Sequence, residues 1–185
     1  MSTIIKTKQQ VFLTTKDLDL VLLEEHDAHK ILEWFQDPEV NQFLNGGEFP
    51  ITTEFEKDYI SKMYKNDKKL QLGIYHRKDQ KLIGTTGIDR INNVHLEGSF
   101  GIAIGNKEYW GNGYGTQTLE TMLYWSFKQR GLRTITLSVL STNPRGMKCY
   151  QKCGFTHIGT VPKSVFKQGK WVDRHLMMIQ SPLMK

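Results

Sequence analysis

Residues 109–116 read Tyr-Trp-Gly-Asn-Gly-Tyr-Gly-Thr, with glycines at 111, 113 and 115. A strand-like run precedes them and an amphipathic helical pattern follows. Glycines at that place let main-chain N–H groups turn inward, and the helix adds its positive end. Together those meet the requirements for holding a pyrophosphate. A dinucleotide fingerprint begun at Gly111 needs a third glycine where Thr116 stands, and one begun at Gly113 needs it where Thr118 stands. A P-loop needs a Lys-Ser/Thr pair after the glycines, and none follows here. At this point a glycine-rich turn without a ligand remains the alternative.

Other groups with chemistry in them lie further along. Tyr150 follows Asn143 by two helical turns and is itself followed by Gly154 and Phe155. A tyrosine hydroxyl can hand a proton to a leaving group. Cys149 and Cys153 are four residues apart in a helical pattern, which is poor disulfide geometry. Zinc finds no further ligands nearby, so no metal is expected. His26 and His29 lack a third ligand or a partner and read as surface residues. Glu24, Glu48, Asp89 and Asp173 are of the right type to meet a cationic amine, but acidic surface residues are ordinary and none is assigned.

These residues need elements to position them. Two apolar runs in residues 11–25 predict opening strands, and residues 27–35 a helix broken at Asp37-Pro38. Thr52 or Thr53 with Glu56 suits the start of a second helix reaching about residue 65. Alternation over residues 70–75, 82–88 and 96–104 predicts an antiparallel meander. The glycine loop opens a helix over residues 115–130, which Gly131 stops. Residues 134–140 are rich in β-branched side chains and form a strand. Asn143 and Pro144 then serve as N-cap and first residue of a helix closing at Gly154. Two final strands near 155–166 and 170–179 are joined through Gln168-Gly169.

The 185 residues suit one domain, with no linker or repeat. Charged content of 24% and hydrophobic content of 38% describe a globular protein. No run approaches the roughly 20 apolar residues of a membrane span. The first eight residues lack a signal-peptide core, so the expected compartment is cytoplasmic. A net charge of +6 admits a polyanionic ligand, but the lysines are scattered without an aromatic-rich basic strand, which disfavours nucleic acid.

The ordered set Trp110-Gly111-Asn112-Gly113-Tyr114-Gly115, then Asn143, Gly146, Tyr150, Gly154 and Phe155, resembles the GNAT superfamily of acetyl-CoA-dependent N-acetyltransferases. Residues 22–28, 37–40 and 166–173 resemble its branch of ribosomal-protein N-terminal and spermidine acetyltransferases. The resemblance implies a single α/β domain over residues 1–185, with a mixed, largely antiparallel sheet of about seven strands and about four helices. It implies that the strands over 100–104 and 134–140 splay apart to admit pantetheine. The main chain of Ile102, Ala103 and Ile104 would pair with its amides, and an N–H there would polarise the thioester carbonyl. Gly111, Asn112, Gly113, Tyr114, Gly115 and Thr116 would hold the pyrophosphate, and Asn143 the pantetheine arm. Gly146, where Ala or Ser is usual, would let the ligand approach closely. Trp110 stands where the family often has Arg or Gln.

Acetyl transfer then runs directly from acetyl-CoA to a primary amine on a protein N-terminus, polyamine, aminoglycoside or amino sugar. Tyr150 is the candidate acid. Glu97, at the start of the central strand and on the same side as Ser99, is the candidate base, with a water relay as the other route. A CoA-binding regulatory module without catalysis is the alternative function. A homodimer is the default assembly.

Overall fold

The computed structural model describes residues 9–46, 50–65 and 67–182. The first eight residues, and Glu48 with its neighbours in the loop over 45–50, fall outside that set.

β1 (Val11–Thr14) and β2 (Leu18–Val21) are the opening strands. A 3-10 turn (Glu25–Asp27) leads into α1 (Ala28–Gln36). At Asp37-Pro38 the chain starts afresh: the Asp37 side chain accepts from the Glu39 N–H and caps the short α2 (Pro38–Asn41). Thr52 caps α3 (Thr53–Met63) by accepting from the Phe55 N–H at 3.2 Å. That puts Glu56 one position too far along to close a capping box. Its side chain is buried instead, and burial raises its pKa against the opposing pull of Lys69.

The predicted meander is β3 (Leu70–His76), β4 (Lys81–Asn92) and β5 (Glu97–Ile104). Beyond the glycine loop comes α4 (Tyr114–Tyr124), whose last turn, Trp125–Gln129, widens into a π turn. β6 (Thr134–Leu140), α5 (Pro144–Lys152), β7 (Thr156–Lys167) and β8 (Lys170–Gln180) complete the chain. The described residues therefore hold eight strands and five α-helices, against the expected seven or so and four; the extra helix is the one-turn α2.

All eight strands join one sheet in the order β1-β2-β3-β4-β5-β6-β8-β7. Every pairing is antiparallel except β5 with β6. Alternation sorts the side chains to two faces. On one face Leu72, Ile74, Ile83, Ile88, Phe100 and Ile135 pack with Leu119 and Met122 of α4 and with Tyr150 and Phe155. On the other, Leu23, Ile31, Trp34, Ile60 and Met63 form a second cluster under α1 and α3. Each fully buried side chain of this kind contributes ~1.5–3 kcal/mol, so the two clusters hold the sheet rigid between its helices.

The β5–β6 pairing positions the site. It runs only from Glu97 opposite Thr134 to Ser99 opposite Thr136, where the Thr136 hydroxyl also donates to the Gly98 carbonyl at 3.3 Å. Past that point β5 stays with β4 as far as Ile104, and β6 stays with β8 as far as Leu140. Each strand follows its antiparallel partner, and a V opens at the carboxyl ends of both. In α/β sheets that is where ligands bind.

Candidate functional site

A cleft of about 640 Å³ fills the V. Its walls are β5 residues Ser99 to Ile104, β6 residues Ser138 and Val139, the glycine loop, and the first turns of α5.

Gly111 and Gly113 both adopt φ +80°, a left-handed conformation that strains other residues, and a Cβ at either would meet nothing within 4 Å. The glycines are there for the backbone turn, and the space over them is open. Gly113 is the N-cap of α4, so the N–H groups of Tyr114, Gly115 and Thr116 begin the helix with no acceptor inside it. Free N–H groups at an open helix start are what an anion such as a pyrophosphate needs.

Tyr114 lines the cleft, but its hydroxyl is committed to His76 Nε2 at 2.9 Å. His76 Nδ1 sits 2.9 Å from the Asp79 carboxylate, to which Tyr109 also donates at 2.7 Å. That last bond pushes Tyr109 up to about 12 and holds the Asp79 carboxyl below its usual range. The loop is thus braced from the meander, and Tyr114 is left to offer its main chain. Asn112 is exposed, its amide near the Trp110 carbonyl at 3.4 Å, and it is not part of the wall.

Ile102, Ala103 and Ile104 line the free arm of β5. Trp110 Nε1 donates to the Ile104 carbonyl at 2.6 Å, so that acceptor is already occupied. The arm's exposed pairing capacity is therefore shorter than the sequence suggests: Ile102 faces the open edge, and Ala103 turns its main chain to β4.

On α5, Asn143 Oδ1 accepts from the Gly146 N–H at 2.8 Å as a helix cap. A Cβ on Gly146 would fall 2.8 Å from Asn143 Nδ2. The space over Gly146 is filled by the Asn143 side chain itself, not left for a ligand as expected, though both residues line the cleft.

Tyr150 lines the cleft, with its ring edge-on to Phe100 at 6.4 Å and tilted against Phe155 at 6.1 Å. It is 9% exposed, and its hydroxyl takes part in no hydrogen bond among the described residues. Burial, and after it the neighbouring Cys149, raises its pKa above the ordinary tyrosine value. The group keeps its proton at any physiological pH.

Glu97 is not brought to this place. It sits at the closed end of the V between Asn92 and Thr134, exposed and outside the cleft wall. Its i+2 neighbour Ser99 does line the wall, opposite Asp89 of β4. Strand alternation alone could not reveal where β5 parts from β6: Ser99 is the last paired position and borders the opening, while Glu97 lies two residues further into the closed end. His26 and His29 lie away from the cleft, beside Glu24 and Asp27 and beside Glu33 respectively.

Some wall residues carried no sequence signal. Gln71, Thr85 and Thr86 come from strands the sequence treats as structural. Asn45 reaches across to Ser138, donating to its hydroxyl at 3.0 Å, and straps the segment after α2 over the cleft. Asp89 is the carboxylate among the described wall residues, bridged by Lys69 at 3.0 Å. Cys149 lines the wall with its Sγ 3.4 Å from the Thr116 hydroxyl. The Cys153 thiol, then Thr116, lowers it to about 6, while Cys153 itself is raised. No group of three or more metal-ligating side chains occurs among the described residues. No helix of those residues is long and apolar enough to cross a membrane.

A family profile described as an acetyltransferase (GNAT) domain matches residues 17–156. The spermidine N(1)-acetyltransferase of Vibrio cholerae is 26% identical over 149 residues, 80% of this chain and 79% of that protein. YoaA of Bacillus subtilis, named an uncharacterized N-acetyltransferase, is 25% identical over 173 residues, 92% of this chain and 97% of its own length. Among solved structures, the V. cholerae spermidine N-acetyltransferase in complex with CoA and spermine superposes with a TM-score of 0.82 at 24% identity, covering 89% of this chain and 96% of that one.

Proposed function

This chain belongs to the GNAT acetyltransferase family, and we propose that it transfers acetyl to a singly charged primary amine, such as a peptide N-terminus, with Tyr150 as the acid. The observation that carries the reading is the Tyr150 hydroxyl: protonated, part of the cleft wall and committed to no other group among the described residues.

Acetyl-CoA supplies the acyl group as a thioester. The open backbone cradle at Gly111 and Gly113 and the free start of α4 fit its pyrophosphate. Ile102 offers the strand edge that its amides need. On the acceptor side Asp89 draws in the ammonium, which must lose a proton because a peptide α-amino group has a pKa of about 8 and an alkyl amine one of about 10. With Glu97 outside the cleft, that proton leaves through water along the polar wall of Ser99, Gln71 and Thr86. The new C–N bond forms as the C–S bond breaks, and Tyr150 gives its proton to the departing sulfur. Tyr150 regains a proton from solvent, so no group on the protein is consumed.

Among the described wall residues one carboxylate, already bridged by Lys69, favours an acceptor with one charge. A polyamine acceptor is the second reading, favoured by the relatives named as spermidine acetyltransferases. The two free thiols are consistent with work in the reducing cytoplasm. Nothing in the cleft favours a module without catalysis, since the proposed acid is retained.

The deciding experiment is thiol release from acetyl-CoA across peptides, polyamines, aminoglycosides and amino sugars. Peptides or other monoamines should turn over with the highest kcat/KM. A clear preference for spermidine would move the assignment to the second reading, and cofactor binding with no turnover would end the catalytic one.

A further inference from the structure

Trp110 occupies the loop position where a guanidinium or amide is common in this family, yet a guanidinium is present. The Arg145 Cζ lies 4.1 Å from the centre of the Trp110 ring and 5.8 Å from that of Phe43. The two rings meet edge-on at 6.0 Å and 69°. Arg145 comes from the first turn of α5, not from the loop, and lines the cleft beside Gly111 and Gly113. No carboxylate among the described residues pairs with it; the aromatic faces are its recorded partners. Packing against the rings, with no counter-ion, desolvates the guanidinium of this otherwise exposed residue and lowers its pKa.

An arginine held over an indole face has more N–H donors than the ring can engage, and its planar fork suits phosphate oxygens. The indole is itself fixed, because Trp110 Nε1 is tied to the Ile104 carbonyl. Lys148 and Lys152 line the same wall one and two turns further along α5, so the field here is positive. We propose that Arg145, carried on the Trp110 face, binds a phosphate of acetyl-CoA and replaces from α5 the polar contact that the loop lacks. Trp110 is then a positioning residue: it orients the guanidinium without touching the phosphate.

The inference rests on acetyl-CoA as donor, and the test separates the two. Calorimetry would compare acetyl-CoA, dephospho-CoA and acetyl-pantetheine, which has no phosphate, on the wild-type protein and on Arg145→Ala, Arg145→Lys and Trp110→Phe. Arg145 is exposed, so its variants should melt like the wild type without ligand. Arg145→Ala should weaken acetyl-CoA about tenfold or more, the loss of one charge-assisted hydrogen bond, and leave acetyl-pantetheine unchanged. Equal affinity of the variant and the wild type for dephospho-CoA would place the contact at the 3′-phosphate, and the same tenfold gap would place it at the pyrophosphate. Arg145→Lys should recover only part of the loss, and Trp110→Phe, which keeps a ring face, should lose less than Arg145→Ala. No change for acetyl-CoA, or an equal loss for acetyl-pantetheine, overturns the assignment while leaving the donor intact. A wild-type protein that binds none of the three overturns both.

Discussion

Tyr150 and Glu56 are both buried, and burial acts on them in the same direction with different consequences. In Tyr150 desolvation keeps the phenol neutral, which an acid requires. Tyr150→Phe should lower kcat about 100-fold, within the usual range for a lost general acid, with the acetyl-CoA Kd nearly unchanged. Steady-state rates and calorimetry would check the split. Because its folded pKa lies above the ordinary 10.0, any alkaline fall in kcat from Tyr150 should begin above that pH.

In Glu56 the same desolvation opposes the carboxylate that neutral pH imposes. A raised folded pKa means that the folded state holds the proton more tightly. Its contribution to stability is present below the unfolded value of 4.5 and is lost as pH rises through the folded value. Glu56→Gln should therefore stabilise the protein at pH 7 by ~1 kcal/mol and flatten the melting temperature across the acid range.

At the scale of elements, two helix starts build the site. The α4 start depends on backbone conformation: with no neighbouring atoms to clash, Gly113→Ala should cost ~1–2 kcal/mol of left-handed strain and weaken acetyl-CoA together with it. The α5 start depends on a side chain. Asn143→Ala should cost about 1 kcal/mol of cap, read as a lower denaturation midpoint. Between these helices the Cys153 thiol supports the thiolate of Cys149, drawing Cys149 down and pushing Cys153 up, and Cys149 is the one that lines the cleft. At pH 7 iodoacetamide should modify Cys149 first, and acetyl-CoA should slow that reaction because Cys149 lines the cleft. Mass spectrometry of the alkylated peptides would show both effects.

Over the whole molecule, the fold leaves the facing edges of β5 and β6 unpaired past Ser99 and Thr136, inside a sheet of eight. Hydrogen exchange should find the amide of Ile102, on the open edge, faster than that of Ala103, whose main chain faces β4. Acetyl-CoA should slow the first and leave the second unchanged. The sequence by itself determined the elements and the donor. Alternation and helical spacing are local properties, and the glycine loop, Asn143-Pro144 and Gly154-Phe155 carry their meaning in consecutive residues. Only the tertiary structure decided which of those residues share a space. Glu97 and Ser99 are two positions apart on one strand, yet the divergence of β5 toward β4 and β6 toward β8 leaves the first outside the cleft and the second in its wall. Trp110 and Arg145 are 35 positions apart in number, and their 4.1 Å stack depends on how α5 packs beside the loop. Local pattern follows from the chain's own geometry; contact between distant residues follows from packing, which no short stretch of sequence contains.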